Sequence, residues 1–143
     1  MLLHGGIHNS SLQPDGSYNY AHVFEHTKDR IAAADIAVAN QEVILGGVEL
    51  GVSSYPTFNS PQAFGDALVD TGFDVILHAT NHTMDKDTVG VLNTIHFWKE
   101  KHPDTTFLGI NENEEERDTI RIVEKDGIKI AMLNYTYGLN GFS

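Results

Sequence analysis

The chain has 143 residues, of which 41% are hydrophobic and 20% charged, and this composition is typical of a single globular domain. Its formal net charge of -11 argues against nucleic acid as a partner, because such binding depends on clustered Lys and Arg. Because it contains no cysteine, a metal site would need nitrogen and oxygen ligands. No apolar run approaches the length of a membrane span, so we expect a soluble chain that reaches a membrane only through an anchor outside it.

The first half of the chain predicts two units of helix followed by strand. Residues 20–34 place apolar side chains at helical spacing, and the apolar run DIAVAN at 35–40 then predicts a buried strand. Asn59-Ser60-Pro61 is predicted to begin a second helix, with a capping residue before a proline suited to the first turn, and Gly72 is predicted to end it. FDVILHA follows as the second strand. The opening residues MLLH resemble the inner part of a β-strand. Residues 43–58 are predicted to form a loop over the site, with a small hairpin as the alternative.

The second half predicts one more such unit and then a hairpin. A helix is expected from Asp87 to just before Pro103, and TTFLGI predicts the third strand. The acidic run at 111–118 predicts a solvated loop or short helix. Two β-branched runs meet at Asp126-Gly127, which favours a tight turn. This order of elements predicts an α/β fold with a mainly parallel or mixed sheet.

Polar residues follow three of the predicted strands, and parallel strands would bring them to one edge of the sheet. They are His4 after the first run, Asn40 and Glu42 after the second, and His78, Asn81, His82 and Asp85 after the third. Carboxylate, amide and imidazole groups bind divalent cations, which can make a nucleophile of bound water. The convergence therefore predicts a metal site with Glu42 and Asn81 as ligands and His82 near the reacting oxygen.

Each of these residues also has a purely structural explanation. Asn40 could form a side-chain turn after its strand, and Glu42 could face solvent in a loop. Asp85 or Asp87 could cap the following helix. The spacing of the residues does not decide between these alternatives and a functional site.

Five motifs in a fixed order carry a family resemblance: N-x-E at 40–42, P-x-F-N-x-P at 56–61, G-F-D-V at 72–75, N-H-x-x-D at 81–85 and N-Y-T-Y-G at 134–138. Together with MLLHG at the start, they resemble the bacterial capsule synthesis protein CapA family, also described as poly-gamma-glutamate biosynthesis proteins. The resemblance runs the length of the chain. It implies a fold similar to the calcineurin-like metallophosphatases, a β-sandwich with flanking helices and a metal centre at the strand ends.

The resemblance also implies roles for individual residues. Asn81 and Glu42 match metal ligands, Asn40 a ligand or its support, and His82 the histidine that contacts or protonates the substrate oxygen. Asp85 would hold His82 or its loop. The convergence of strand ends adds His4 as a fourth candidate ligand. The implied cofactor is a divalent cation (Mn, Fe or Zn), with two in the complete domain.

The family pattern also bears on the extent of the domain. Its Gly-Asp pair would stand before Met1, and its later histidine motifs would follow residue 143. Residues 1–143 are therefore expected to form the amino-terminal part of one domain. The second sheet would be largely absent, and its apolar surface would be covered by a homodimer partner or by the other half of the domain.

The implied function is that of a metal-dependent hydrolase or transferase of capsule or poly-gamma-glutamate production at the cell envelope. Its substrate would be a phosphoester or an anionic polymer. Two alternatives remain open at this point. One is a non-catalytic scaffold or polymer-handling member with an incomplete metal site, and the other is a general metallophosphoesterase.

Overall fold

The computed structural model describes residues 1–141 and contains five α-helices, two 3-10 turns and five strands within them. The helices are α1 (Gly5–Ser11), α2 (Lys28–Ala32), α3 (Ala63–Thr71), α4 (Asp87–Lys101) and α5 (Glu114–Asp118). The strands are β1 (Val38–Asn40), β2 (Val75–Leu77), β3 (Thr106–Leu108), β4 (Arg121–Lys125) and β5 (Ile128–Met132). Among residues 1–141, no helix is both long and apolar enough to cross a membrane.

The strands form two separate sheets. In the first, β2 lies between β1 and β3, and both pairings are parallel. In the second, β4 and β5 form an antiparallel hairpin. The helices between the parallel strands supply the crossover connections that such pairing requires. The predicted α/β class with a mainly parallel sheet is confirmed, and it is consistent with part of a metallophosphatase-like domain.

The core lies between the three-stranded sheet and helices α3 and α4. Aromatic residues contribute to it: Phe64, Phe97 and Trp98 are buried, and Phe73 and Phe107 pack against them half-buried. The buried cluster consists of Leu3, Tyr20, Phe24, Ala39, Leu45, Phe64, Ala67, Leu68, Ile76, Phe97 and Trp98. Gly72 ends α3 in the left-handed conformation, with φ of 104°, as predicted.

Two predictions for the amino-terminal region are wrong. Residues 20–34 do not form one helix, but a 3-10 turn at Ala21–Phe24 and the short helix α2. Only Tyr20 and Phe24 of this segment are buried, so tertiary packing does not support a longer helix. MLLH is not a strand either; Leu3 packs into the core, and α1 begins directly after His4.

The long connection at 43–58 is a loop, as predicted, with a single 3-10 turn at Val48–Leu50. The predicted cap before Pro61 is wrong, because α3 begins at Ala63 and its capping residue, Gln62, makes no side-chain capping bond. The side chain of Asn59 is fully buried and binds the loop instead, accepting from the Gly46 N–H and donating to the carbonyl oxygens of Gly47 and Gly51. Asn59 therefore shapes the loop that leads to the candidate site.

The hairpin has the predicted turn, in which Asp126 and Gly127 adopt φ of 51° and 80°. Its aliphatic side chains are largely exposed, in contrast to Val75 and Ile76 of β2. Exposed large hydrophobic residues of this region include Ile120, Ile122, Ile128, Ile130 and Leu133.

Candidate functional site

The segments that follow β1 and β2 meet at the carboxyl edge of the parallel sheet. Asn40 pairs with Leu77 in the last register position of the two strands. Beyond it, the Thr80 hydroxyl donates to the Glu42 carbonyl oxygen at 2.8 Å, and the Glu42 N–H donates to the Met1 carbonyl oxygen at 3.1 Å. The structure therefore brings together the chain start, the N-x-E segment and the N-H segment, as the predicted convergence requires.

The N-H segment is held as a tight turn by the hydroxyls of two threonines. The Thr83 hydroxyl accepts from the Thr80 N–H, and it lies 2.7 Å from the His78 carbonyl oxygen and 2.8 Å from that of Thr80, either of which can accept its single proton. The Thr80 hydroxyl accepts from the His82 N–H at 3.1 Å. Side-chain hydroxyls thus satisfy backbone groups that a strand or helix would otherwise pair. As a result, Asn81 lies exposed at the edge while His82 turns inward.

His82 and Asp85 form a buried pair. The His82 Nδ1 lies 2.7 Å from the Asp85 Oδ2, and the two side chains are 9% and 2% exposed. Asp85 also accepts from the Phe58 N–H at 2.6 Å. With the Nδ1 proton donated to the Asp85 carboxylate, Nε2 is the nitrogen of the His82 ring that accepts, and the Asn140 Nδ2 lies 3.4 Å from it. Asp85 does not cap α4, because the capping position is Lys86 without a side-chain bond.

The Phe58 ring contacts both His4 and His82. Both histidines meet it edge to face, with ring centroids 5.3 Å and 4.7 Å away, respectively. His4 is exposed, and its Nδ1 lies 3.4 Å from the Ser54 hydroxyl. His4 therefore belongs to the periphery of the site, whereas Phe58 contacts both members of the His82–Asp85 pair.

Asn140 is a site residue that the sequence did not predict. Its N–H donates to the Asn81 carbonyl oxygen at 2.9 Å, and its Oδ1 accepts from the Asn81 side chain at 3.2 Å. Its Nδ2 lies 3.3 Å from the His82 Nδ1 and 3.4 Å from the Nε2. The only sequence signal was its position two residues after the N-Y-T-Y-G motif.

His78, although it lies beside the site in sequence, is a core residue. The Trp98 indole N–H donates to its Nε2 at 2.8 Å, which requires a neutral ring. Burial, and to a lesser extent the charge of the amino terminus, lowers the pKa of His78 to about 3. His78 thus anchors the end of β2 to α4 and leaves no nitrogen for a ligand at the sheet edge.

The donors at the sheet edge fit part of a ligand set for a divalent cation. Glu42 is half-buried and supplies a carboxylate, while Asn40 and Asn81 are exposed and supply amide oxygens. These are ligands that hard and borderline cations accept. Among residues 1–141, however, no three His, Asp or Glu side chains lie close enough to hold an ion by themselves. The described residues therefore provide one carboxylate and neutral donors.

A cavity of about 660 Å³ opens beside His82. Its walls come from the end of the 43–58 loop, from the N-H segment and from the turn that contains Asn140. The geometry thus defines a class of protein: a mixed α/β domain with a buried Asp–His pair and oxygen donors at the carboxyl edge of its parallel sheet.

The comparisons with known proteins give the family. The model of the family described as "Bacterial capsule synthesis protein PGA_cap" matches residues 1–143, so the chain belongs to that family. The suspected resemblance is confirmed. No curated protein matches the chain significantly.

Proposed function

We propose that the chain is part of a metal-dependent hydrolase or transferase that acts in capsule or poly-gamma-glutamate production at the cell envelope. The observation that carries the proposal is the His82–Asp85 pair, which lies at the sheet edge beside the donors that follow β1. Membership in a capsule synthesis family supports the biological setting. The bond acted on would be a phosphoester or an amide of the polymer.

In this proposal His82 moves a proton at its Nε2. The ring orientation is set by Asp85 on Nδ1, and Asp85 is itself fixed by the Phe58 N–H. A histidine held in this way can take a proton from a nucleophile or give one to a leaving oxygen or nitrogen. Asp85 is a positioning residue, because its carboxylate contacts His82 rather than the substrate.

A divalent cation would be held by Glu42 and Asn81, with Asn40 as a further ligand or support, and His4 remains a more distant candidate. When bound, such a cation would act as a Lewis acid toward a substrate oxygen. Glu42 is held by its backbone to Met1 and Thr80, which limits the movement of the carboxylate at the sheet edge.

The catalytic role is tested by hydrolysis of a chromogenic aryl phosphodiester in the presence of Mn²⁺. His82→Asn should lower kcat by about 10²–10⁴, the usual contribution of a general acid or base. His26→Asn, which changes an exposed histidine away from the site, is the matched control and should leave kcat unchanged. If both variants retain full activity, His82 has no catalytic role.

The metal role is tested separately by calorimetric titration of Mn²⁺ into the purified chain. Glu42→Gln removes the carboxylate at nearly constant volume and should weaken binding, whereas Glu25→Gln at an exposed position should not. Equal binding by the two variants would place the metal elsewhere. A chain that binds no Mn²⁺ and hydrolyses no ester would favour the non-catalytic scaffold or polymer-handling member.

A further inference from the structure

We infer that Asn140 is a positioning residue of the candidate site, which sets the orientation of the Asn81 amide relative to the His82 ring. The inference rests on the proposed function, because that proposal makes Asn81 a cation ligand and His82 the group that moves a proton. It goes further by assigning a role to a third side chain that contacts both of them.

The Asn140 side chain lies over the face of the His82 ring. Its Nδ2 is 3.3 Å from the ring Nδ1 and 3.4 Å from the ring Nε2. At such distances from both nitrogens, an atom in the plane of the ring would overlap a ring carbon, so the Asn140 Nδ2 lies above the plane. The lone pair of Nε2 lies in the plane of the ring. The contact is therefore between an amide N–H and the ring face, and it does not occupy the Nε2 lone pair.

The ring face favours one orientation of the Asn140 amide. The face of a neutral aromatic ring carries partial negative charge, so it attracts the hydrogens of an NH2 group and repels an amide oxygen. His82 presents such a face when its Nδ1 carries the proton shared with Asp85 and its Nε2 carries none. The Asn140 nitrogen therefore faces the ring, and the Asn140 oxygen faces Asn81.

Asn140 in turn favours one orientation of the Asn81 amide. Its Oδ1 accepts from the Asn81 Nδ2 at 3.2 Å, whereas the reverse orientation of Asn81 would bring two amide oxygens together. The Asn140 N–H also donates to the Asn81 carbonyl oxygen at 2.9 Å, so the two residues are joined by both backbone and side chain. Because the Asn81 nitrogen is used in this contact, the Asn81 oxygen lies on the opposite side of the amide. Oxygen is the amide atom that binds a divalent cation, so this orientation suits the ligand role of Asn81.

Asn140→Ala isolates the contribution of the side chain. It removes the contacts to His82 and to the Asn81 amide, and it leaves the backbone bond to Asn81 in place. Asn140 is exposed, so the substitution removes no core contact. Asn111→Ala is the matched control, because Asn111 is an exposed asparagine in a different segment, at the start of the acidic run.

The first measurement is NMR of the side-chain amides in the metal-free chain. A proton above an aromatic ring resonates upfield, so we expect an upfield shift of the Asn140 NH2 signals that is lost in His82→Asn. In Asn140→Ala, the Asn81 side-chain amide signals should move toward those of solvated asparagines, because their acceptor is gone. Asn111→Ala should leave both sets of signals unchanged.

The second measurement is calorimetric titration of Mn²⁺ in two backgrounds. Asn140→Ala should weaken Mn²⁺ binding about tenfold, the lower end of the effect of losing a residue that orients a metal ligand. In an Asn81→Ala background the same substitution should cause no further loss, because Asn140 acts through Asn81. Asn111→Ala should bind Mn²⁺ like the unmodified chain.

The inference is overturned if the Asn140 signals show no upfield shift, or if the Asn81 side-chain signals are unchanged in Asn140→Ala. It is also overturned if Asn140→Ala binds Mn²⁺ normally, or if its loss of affinity is the same with and without Asn81. A chain that shows both NMR effects but binds no Mn²⁺ would retain the positioning role of Asn140 and remove the proposed metal role. Mn²⁺ binding that depends on Glu42, without either NMR effect, would remove the inference alone.

Discussion

The strands of the parallel sheet and those of the hairpin are stabilised in different ways, as a comparison of two isoleucines shows. Ile76 in β2 is fully buried, whereas Ile122 in β4 is 57% exposed. The β2 strand has three residues in the sheet and pairs on both sides with strands distant in sequence. Its stability therefore depends on the burial of its side chains against the helices.

The hairpin depends instead on local sequence. Its two strands have five residues each and are joined by a turn whose residues accept positive φ. Within residues 1–141 it pairs with no other strand, and much of its apolar surface faces outward. An isolated hairpin is at best marginally stable in water. The comparison shows that the same residue type is part of the core in one sheet and potential contact surface in the other.

The largest expected difference comes from making the same substitution in both sheets. Ile76→Ala should lower the free energy of unfolding by about 2–5 kcal/mol, because it leaves a cavity in the core. Ile122→Ala should change it by no more than about 0.5 kcal/mol, because the side chain is largely exposed. Urea unfolding of the two variants measures both values.

A large loss of unfolding free energy in Ile122→Ala would contradict this difference between the two sheets. It would mean that the hairpin is covered in solution, either by a second copy of the chain or by another protein. Sedimentation at two protein concentrations would distinguish these cases, because self-association depends on the concentration of the chain alone.

A smaller change in the free energy of unfolding is expected when the pH is lowered. It arises in the region of the parallel sheet and its helices. Since burial lowers the pKa of His78 to about 3, the unfolded chain binds a proton before the folded chain does. The contribution of His78 to the free energy of unfolding is complete above pH of about 6.5. It decreases as the pH falls toward 3, by up to about 1.4 kcal/mol per pH unit. Burial lowers the pKa of His8 as well, which adds to the same trend.

Denaturant unfolding at pH 7 and pH 5 checks this expectation. The free energy of unfolding that is lost between pH 7 and pH 5 should be smaller in His78→Gln than in the unmodified chain. The same loss should be unchanged in His26→Gln. An equal loss in all three proteins would show that other groups, such as carboxylates, determine the acid sensitivity.

The sequence predicted the fold well where the signals were local or strongly periodic. The hairpin turn at Asp126-Gly127 and the end of α3 at Gly72 both depend on residues that accept positive φ. The helix at 20–34 was mispredicted because spacing alone does not show whether a face has something to pack against. The prediction of a strand at MLLH was wrong for a related reason: an apolar run can enter a core without joining a sheet, as Leu3 does.

The site was predictable in its location but not in its contacts. Parallel strands bring their carboxyl ends together, so Asn40, Glu42 and the N-H segment could be placed at one edge. The contact of Phe58 with the His82–Asp85 pair depends on how the 43–58 loop folds back, and the contact of Asn140 depends on the path of the chain after β5. Neither path has a sequence signal comparable to a turn or a helical period.

The smallest expected effect concerns the connection between the two regions. The Asn134 side chain, just after β5, accepts from the Ala79 N–H after β2 at 2.7 Å. Asn134→Ala should cost about 1 kcal/mol, the lower end of the range for an unpaired polar group, because the site is only partly buried. Asn111→Ala at an exposed position is the control. The sharper readout is amide hydrogen exchange: loss of this bond should speed exchange at Ala79 while leaving the β4–β5 amides unchanged, since the hairpin is held by its own turn. Faster exchange throughout the hairpin would instead show that it depends on its attachment to the parallel sheet.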